Sequence, residues 1–365
     1  MNKEKDNIQR NAEKILEKNQ FKGTVALATG CGKSKIFINI CKRFPNKKWL
    51  LVVPTEELRD ENWKEEFSKW GELQLYENIK KCCYASLKKE DISQYDGICF
   101  DESHNVTVNN TSNLDLAKKD CFMISLTATP PHEEDKLLIF KKYFPILYKI
   151  TLEEAVNLKL ISPFNIKVIE LNLDNTDRYI EEKYGKVTEV KKYEIINRRI
   201  NQIMFSGKQV PEYLYLQRMH FLYNLKSKEK IAKKLIEKFG NDERILYFCS
   251  SIKQAESLCD NVYHSKSTNS DLIAFKNGQI NKLAVVRAIN EGHNIENVDK
   301  ALIVQLVSNP RETIQRIGRT VRLRDDHQAT IYILCVLNTQ DEKWVEKTLL
   351  HFDKDIIEFI NSKNI

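Results

Sequence analysis

Apolar residues in the first 150 positions fall into short β-rich runs separated by stretches of helical period. Strands are predicted over Thr24–Ala28, Trp49–Val53, Gly97–Asp101 and Phe122–Thr127, with helices over Lys33–Phe44 and Glu56–Trp70 between them. Alternation of this kind predicts an α/β fold with a parallel sheet. Near Ile150 the pattern changes. Leu152–Leu160 reads as a short helix, Ser162-Pro163 breaks it, and Asn165–Leu171 reads as a new strand. Residues 174–228 are rich in Lys, Tyr and Asn with no clear strand, which suggests a helical insertion or arm. The alternation then resumes with strand Ile245–Cys249, helix Ile252–Cys259, strands Leu283–Val286 and Ala301–Gln305, helix Arg311–Val321 and strand Thr330–Leu334. A closing amphipathic helix is predicted from about Glu342 to Phe359. The reading is an α/β lobe over 1–150, a linker, first strand and helical insertion over 151–228, and a second α/β lobe over 229–365.

Composition narrows the class without naming it. A chain of 365 residues can bury two full cores, and 42% hydrophobic with 30% charged residues is ordinary for a globular protein. No apolar run is long enough to cross a bilayer, and the start lacks a signal-peptide core, so no membrane partner is expected. The nine cysteines are scattered, and the adjacent pair Cys82 and Cys83 suits neither zinc nor an ordinary disulfide; reduced thiols in a cytoplasmic protein, or one inside a host cell, are expected. Fifty-eight basic against 51 acidic residues leave a net charge of +7. That excess fits a polyanionic partner and equally fits a solvated surface.

Chemistry enters with Leu27-Ala28-Thr29-Gly30-Cys31-Gly32-Lys33-Ser34, which follows a predicted strand and opens a predicted helix. Closely spaced glycines let backbone N–H groups approach phosphates, and the helix N-terminus favours negative charge. Lys33 would reach the β- and γ-phosphates and the Ser34 hydroxyl would ligate Mg²⁺. The strict pattern has Gly where Leu27 sits; a chance Gly-rich turn is the bland alternative. Asp101-Glu102-Ser103-His104 ends an apolar strand, at the sheet edge where ligands of open α/β folds bind. Asp101 would hold Mg²⁺ through water, and Glu102 would take a proton from an attacking water. Alone, the pair would read as a solvated acidic strand end. Far downstream, Gln315-Arg316-Ile317-Gly318-Arg319-Thr320-Val321-Arg322 places Gln315, Arg319 and Arg322 on roughly one helix face.

Together and in this order, these motifs resemble those of superfamily 2 helicases and translocases, specifically the DExH-type group of restriction, repair and phage enzymes. The resemblance covers most of the chain and implies two tandem RecA-like domains, each a parallel sheet flanked by helices, with a helical insertion in or before the second. Gln9-Arg10-Asn11-Ala12 is similar to the adenine-reading motif, with Ile8 in place of the usual aromatic. Val52-Val53-Pro54-Thr55, with Leu58 and Trp63, looks like the first strand-gripping motif, and Tyr84-Ala85-Ser86-Leu87 like the second. Thr127-Ala128-Thr129 matches the segment that links hydrolysis to nucleic-acid binding, and by resemblance His104 couples it to Asp101 and Glu102. In the second lobe, Tyr247–Ser251 and His264-Ser265-Lys266 resemble further backbone-contact segments. Asn290-Glu291-Gly292-His293-Asn294-Ile295 looks like the motif touching both ATP and nucleic acid, through Gly292 and Asn294; Asn294 stands where Asp is frequent and Glu296 where Pro is frequent. Arg319 and Arg322 are implied as arginine fingers on the γ-phosphate, with Gln315 beside them.

The resemblance implies an ATP hydrolase, with ATP and Mg²⁺ as ligands. ATP would be gripped by Gln9, Thr29, Gly30, Cys31, Gly32, Lys33 and Ser34 on one lobe and met by Arg319 and Arg322 from the other. Single-stranded nucleic acid, DNA ahead of RNA, would lie on Pro54, Thr55, Ser86, Ser251, His264, Ser265 and Lys266. Cys31 is a reactive-thiol candidate but reads better as an inert small residue. The arm reads equally as a basic, aromatic strand clamp or as a solvated spacer. The competing functions are an RNA helicase, a non-unwinding ATPase subunit whose protein partners supply targeting or nuclease activity, and a P-loop kinase, which leaves residues 283–322 unexplained.

Overall fold

The computed structural model of the chain describes residues 3–131, 133–286, 295, 298–306, 313 and 328–365. The chain divides into two compact units, the first running to Ser162 and the second beginning at Pro163. In the first, strands β1 (Lys22–Leu27), β2 (Trp49–Val53), β3 (Lys80–Cys83), β4 (Gly97–Asp101), β5 (Phe122–Thr127) and β6 (Ile146–Ile150) form a sheet in the order β3-β2-β4-β5-β1-β6. Every pairing is parallel. β2 and β4 are buried along their whole length, as inner strands covered by helices on both faces must be. The edge strands β3 and β6 are partly exposed, and each lies outside the strands that the sequence pattern predicts.

Helix Lys3–Lys18 buries the stripe Ile8, Gln9, Ala12 and Leu16, and helix Lys33–Arg43 buries Ile36, Phe37, Ile38, Ile40 and Cys41. Phe37 meets Trp49, Trp63 and Phe67 edge-on, with ring centroids 5.4, 5.8 and 6.4 Å apart. Each such side chain taken fully out of water stabilises the fold by about 1.5–3 kcal/mol. The predicted helix over Glu56–Trp70 divides into a π-helical turn, Leu58–Asn62, and helix Trp63–Lys69. Thr151 and Glu154 cap each other's backbone N–H and start helix Leu152–Asn157 within the first unit.

The second unit carries strands β7 (Phe164–Leu171), β8 (Ile180–Glu182), β9 (Gly185–Val187), β10 (Ile245–Cys249), β11 (Val262–His264), β12 (Lys282–Val286), β13 (Lys300–Ile303), β14 (Ala329–Val336) and β15 (Ile357–Asn361). Seven of them form a parallel sheet in the order β11-β12-β10-β13-β14-β7-β15. Its core gathers Ile169, Tyr247, Leu302, Leu334 and Val336 with Leu222, Ala232 and Leu235 from the helices. Two expectations change here. Residues 174–228 are not wholly helical: β8 and β9 form an antiparallel hairpin ahead of helices Glu189–Phe205 and Glu212–Tyr223. The closing helix stops at Leu349, and Asp353 turns the chain into β15, which pairs with β7. Ile357, Phe359 and Ile360 suit an edge strand as well as an amphipathic helix, and the free side of β7 decides between them.

The arm is held by polar groups as well as by its small core of Ile196, Ile200 and Leu214. Buried Glu189 accepts from Asp174 N, the Tyr179 hydroxyl and Ser227 N. Lys228 and Asp341, both fully buried, pair at 2.9 Å between helices Lys226–Glu237 and Gln340–Leu349.

Candidate nucleotide site

The residues expected to carry chemistry in the first unit sit where the parallel strands end. The phosphate loop follows β1, Pro54 and Thr55 follow β2, Ser86 follows β3, Asp101 closes β4, and Thr127 closes β5. A parallel sheet aims all its strand C-termini at one edge, so residues scattered over a hundred positions become neighbours. In the second unit Ser251 follows β10 and His264 closes β11, on the corresponding edge.

The loop reverses direction through Gly30 and Gly32, with φ of 90° and 83°. A side chain at Gly32 would be strained there, and its Cβ would stand 2.3 Å from Gln9 Nε2. Gln9 itself is buried and donates from Nε2 to the carbonyls of Cys31 and Gly32, at 3.3 and 3.4 Å. The residue expected to read a base thus braces the loop. Cys31 is fully buried, which removes the reactive-thiol reading. Lys33 Nζ donates to the Leu27 carbonyl at 3.1 Å, folded over the loop it serves. Ser34 Oγ donates to Glu66 Oε2 at 2.8 Å.

Asp101 is buried and accepts from Trp63 Nε1 at 2.8 Å and from Glu102 N at 3.0 Å. Burial, and next the charge of Glu102, push its carboxyl up to about 7; the Trp63 bond and the nearby Lys33 charge pull the other way. A cation beside it would pull that value back down and favour the ionised form. Glu102 has φ 46°, a left-handed conformation that costs a non-glycine roughly 1–2 kcal/mol. Its Oε2 lies 3.3 Å from Thr127 Oγ1, 3.4 Å from Ala128 N and 3.5 Å from His104 Nδ1. His104 Nδ1 and Thr127 Oγ1 are 3.1 Å apart, and Thr129 N donates to that same hydroxyl at 3.2 Å. Glu102, His104, Thr127 and Thr129 therefore form one buried polar cluster, at the junction of β4 and β5.

Three buried oxygens or hydroxyls around this edge, Gln9 Oε1, Thr29 Oγ1 and Thr129 Oγ1, have no hydrogen-bond partner among the described residues. Buried polar atoms left open in this way fit a ligand rich in donors and acceptors, such as a nucleoside polyphosphate. No group of three or more His, Cys, Asp or Glu side chains among the described residues could cage a metal ion. Mg²⁺ keeps its waters and takes one or two protein oxygens beside phosphate; Ser34 and Asp101 are the residues that would hold it.

The strand-contact candidates are engaged locally. Thr55 Oγ1 accepts from Leu58 N, Ser86 Oγ donates to the Cys83 carbonyl, Ser251 Oγ accepts from Gln254 N, and His264 Nδ1 accepts from Lys266 N. Thr55, Ser265 and Lys266 are exposed, and Pro54, Ser86, Ser251 and His264 partly so. Trp63 is not at the surface: it is 3% exposed and turned onto Asp101. Tyr84, from the second expected strand-gripping motif, donates its hydroxyl to the Asp101 carbonyl at 2.8 Å. The sequence reading missed Glu66, which carries no motif signal of its own. Gln315, Arg319, Arg322, Gly318, Gly292 and Asn294, with the predicted helix Arg311–Val321, lie outside the described residues apart from Thr313.

Comparison with known proteins agrees with this layout. Residues 1–91 match the family model of the type III restriction enzyme res subunit, and residues 227–324 match the helicase conserved C-terminal domain. The DNA 3'-5' translocase XPB2 of Sulfurisphaera tokodaii is 22% identical over 346 residues, covering 86% of this chain and 77% of that protein. S. cerevisiae Dbp5, solved with RNA and ADP BeF3, superposes with a TM-score of 0.62 at 12% identity, covering 98% of this chain and 90% of its own. The type ISP restriction-modification enzyme LlaBIII, solved with DNA, gives a TM-score of 0.61 at 11% identity, over 97% of this chain and 31% of that one. The two parallel-sheet units are therefore RecA-like. The matched models follow one another along the chain as the two halves of a helicase motor do, and with them the chain belongs to the superfamily 2 helicases and translocases, a nucleic-acid-dependent ATPase.

Proposed function

We propose that this protein is a DExH-type motor that hydrolyses ATP to move along, or unwind, DNA. One observation carries the reading: the carboxylate of Glu102, which follows β4, contacts His104 and reaches Thr127 and Ala128 at the end of β5, the strand next to the phosphate-loop strand β1. A carboxylate so placed can take a proton from water, and any movement of the 127–129 segment changes its aim.

Ser34 and Asp101 would hold Mg²⁺, whose charge would supply stabilisation of phosphoryl transfer. Lys33 would leave the Leu27 carbonyl to meet phosphate, and the amides at the start of helix Lys33–Arg43 would bind oxygens. Gln9 braces the loop from behind. Gln315, Arg319 and Arg322 enter on their sequence motif alone, as donors to the terminal phosphate. Pro54, Thr55, Ser86, Ser251, His264, Ser265 and Lys266 are proposed to hold strand phosphates, a contact that is sequence-independent and salt-sensitive. DNA is favoured over RNA because the relative that aligns over most of the chain is a DNA translocase. Among the described residues no helix is long and apolar enough to cross a membrane.

The test is phosphate release measured with no polynucleotide, with single-stranded DNA and with RNA. DNA should raise the rate strongly and more than RNA does. A rate indifferent to every polynucleotide would remove the motor; stimulation by RNA alone would make it an RNA enzyme.

A further inference from the structure

Two side chains of helix Trp63–Lys69, one turn apart, each hold one of the two groups that would take the cation. Glu66 Oε2 receives the Ser34 hydroxyl proton at 2.8 Å. Trp63 Nε1 donates to Asp101 Oδ2 at the same distance. The helix is itself fixed against the phosphate-loop helix: the Trp63 ring meets Phe37 edge-on with centroids 5.8 Å apart, and Lys35 Nζ lies 4.1 Å over the Trp70 ring. Phe37, Lys35 and Ser34 all belong to helix Lys33–Arg43.

We propose that Trp63 and Glu66 are positioning residues of the Mg²⁺ centre, an inference that rests on the nucleotide-site reading above. A serine hydroxyl has one proton and two lone pairs. A cation can use a lone pair only if the proton points elsewhere, and Glu66 supplies that elsewhere while making the oxygen more electron-rich. Asp101 is in the matching position. Its Oδ1 accepts from Glu102 N and its Oδ2 from Trp63, so the carboxylate plane is fixed and each oxygen keeps a free lone pair. Side chains that orient metal ligands in this way alter metal affinity or activity by about 10–100-fold. Because the helix follows directly on the loop of Pro54 and Thr55 and the turn Leu58–Asn62, the same two side chains connect the cation with a proposed strand contact.

The experiment uses the full chain with ADP and two readouts: the affinity of the ADP complex for Mn²⁺ by electron paramagnetic resonance, and the affinity for a fluorescent ADP in EDTA. Glu66→Gln keeps size and a weaker acceptor; Trp63→Phe keeps the aromatic packing and removes only the donor. Both should weaken Mn²⁺ binding by about 10–100-fold while ADP affinity in EDTA stays within about twofold. Unchanged Mn²⁺ affinity in both variants overturns the assignment. So does a parallel loss of ADP affinity in EDTA, which would mark a merely structural contact, and so does tighter Mn²⁺ binding in Glu66→Gln, which would make Glu66 a competitor of the cation. If the unaltered chain binds no ADP with or without metal, the nucleotide-site reading itself fails, and the inference with it.

Discussion

Replacing Thr127 by valine tests whether the strand end after β5 aims Glu102. Thr127 is fully buried, and its hydroxyl stands 3.3 Å from Glu102 Oε2, 3.1 Å from His104 Nδ1 and 3.2 Å from both the backbone nitrogen and the carbonyl oxygen of Thr129. Valine preserves the volume and deletes all four polar contacts, so packing is spared and hydrogen bonding is not. A hydrogen bond to an ionised group contributes about 1.5–3 kcal/mol, and a 3.3 Å contact belongs at the lower end. Losing about 1.5 kcal/mol of Glu102 orientation in the transition state slows turnover roughly tenfold. The orphaned Thr129 N–H costs stability separately, about 1 kcal/mol. The measurements are phosphate release at saturating ATP and polynucleotide, nucleotide affinity at equilibrium, and urea unfolding. Turnover should drop roughly tenfold with affinity within about twofold, and Thr127→Ser should stay near the unaltered rate. Valine turning over normally, or serine falling as far as valine, would refute the reasoning.

Glu102→Gln should lower turnover by about 10²–10⁴-fold with nucleotide affinity retained, because the amide cannot take a proton; equilibrium binding alongside phosphate release checks it. With its carboxyl pushed up to about 7, Asp101 carries a proton at pH 6 that Mg²⁺ must displace. Metal affinity of the ADP complex should therefore weaken about tenfold from pH 8 to pH 6, and in EDTA this group should favour the folded state increasingly as pH falls from 7 towards 4, since the native carboxyl keeps a proton the unfolded one has lost. Mn²⁺ titrations and urea midpoints across that range measure both. Lys228→Met leaves Asp341 charged and fully buried, so unfolding free energy of the second unit should fall by about 3–5 kcal/mol in urea. The double variant Lys228→Met with Asp341→Leu should recover much of that loss; no recovery would mean that Asp341 acts through its bond from Val336 N instead.

The local pattern alone was enough for the inner strands. Trp49–Val53, Gly97–Asp101, Phe122–Thr127 and Ile245–Cys249 were readable to the residue, because strands buried on both faces are continuous apolar runs. The phosphate loop and the Asp101-Glu102-Ser103-His104 strand end were readable for a related reason: glycines at positive φ and carboxylates at a strand terminus are required by local chemistry. Edge elements were not legible. β3, β6 and the β8–β9 hairpin are short and half exposed, and β15 reads as helix until the open side of β7 offers it hydrogen bonds. Contacts between distant segments were still less visible. Sequence named Gln9, Trp63 and Tyr84 for a base and for a strand; tertiary packing turns Gln9 onto the phosphate loop and Trp63 and Tyr84 onto Asp101, and adds Glu66 on Ser34. The sequence by itself therefore determined which chemistry this chain carries, since each motif is a run of adjacent residues. Which side chain orients which ligand was decided only by the fold, because that depends on helices and strand ends brought together across tens of residues by burial of their apolar faces.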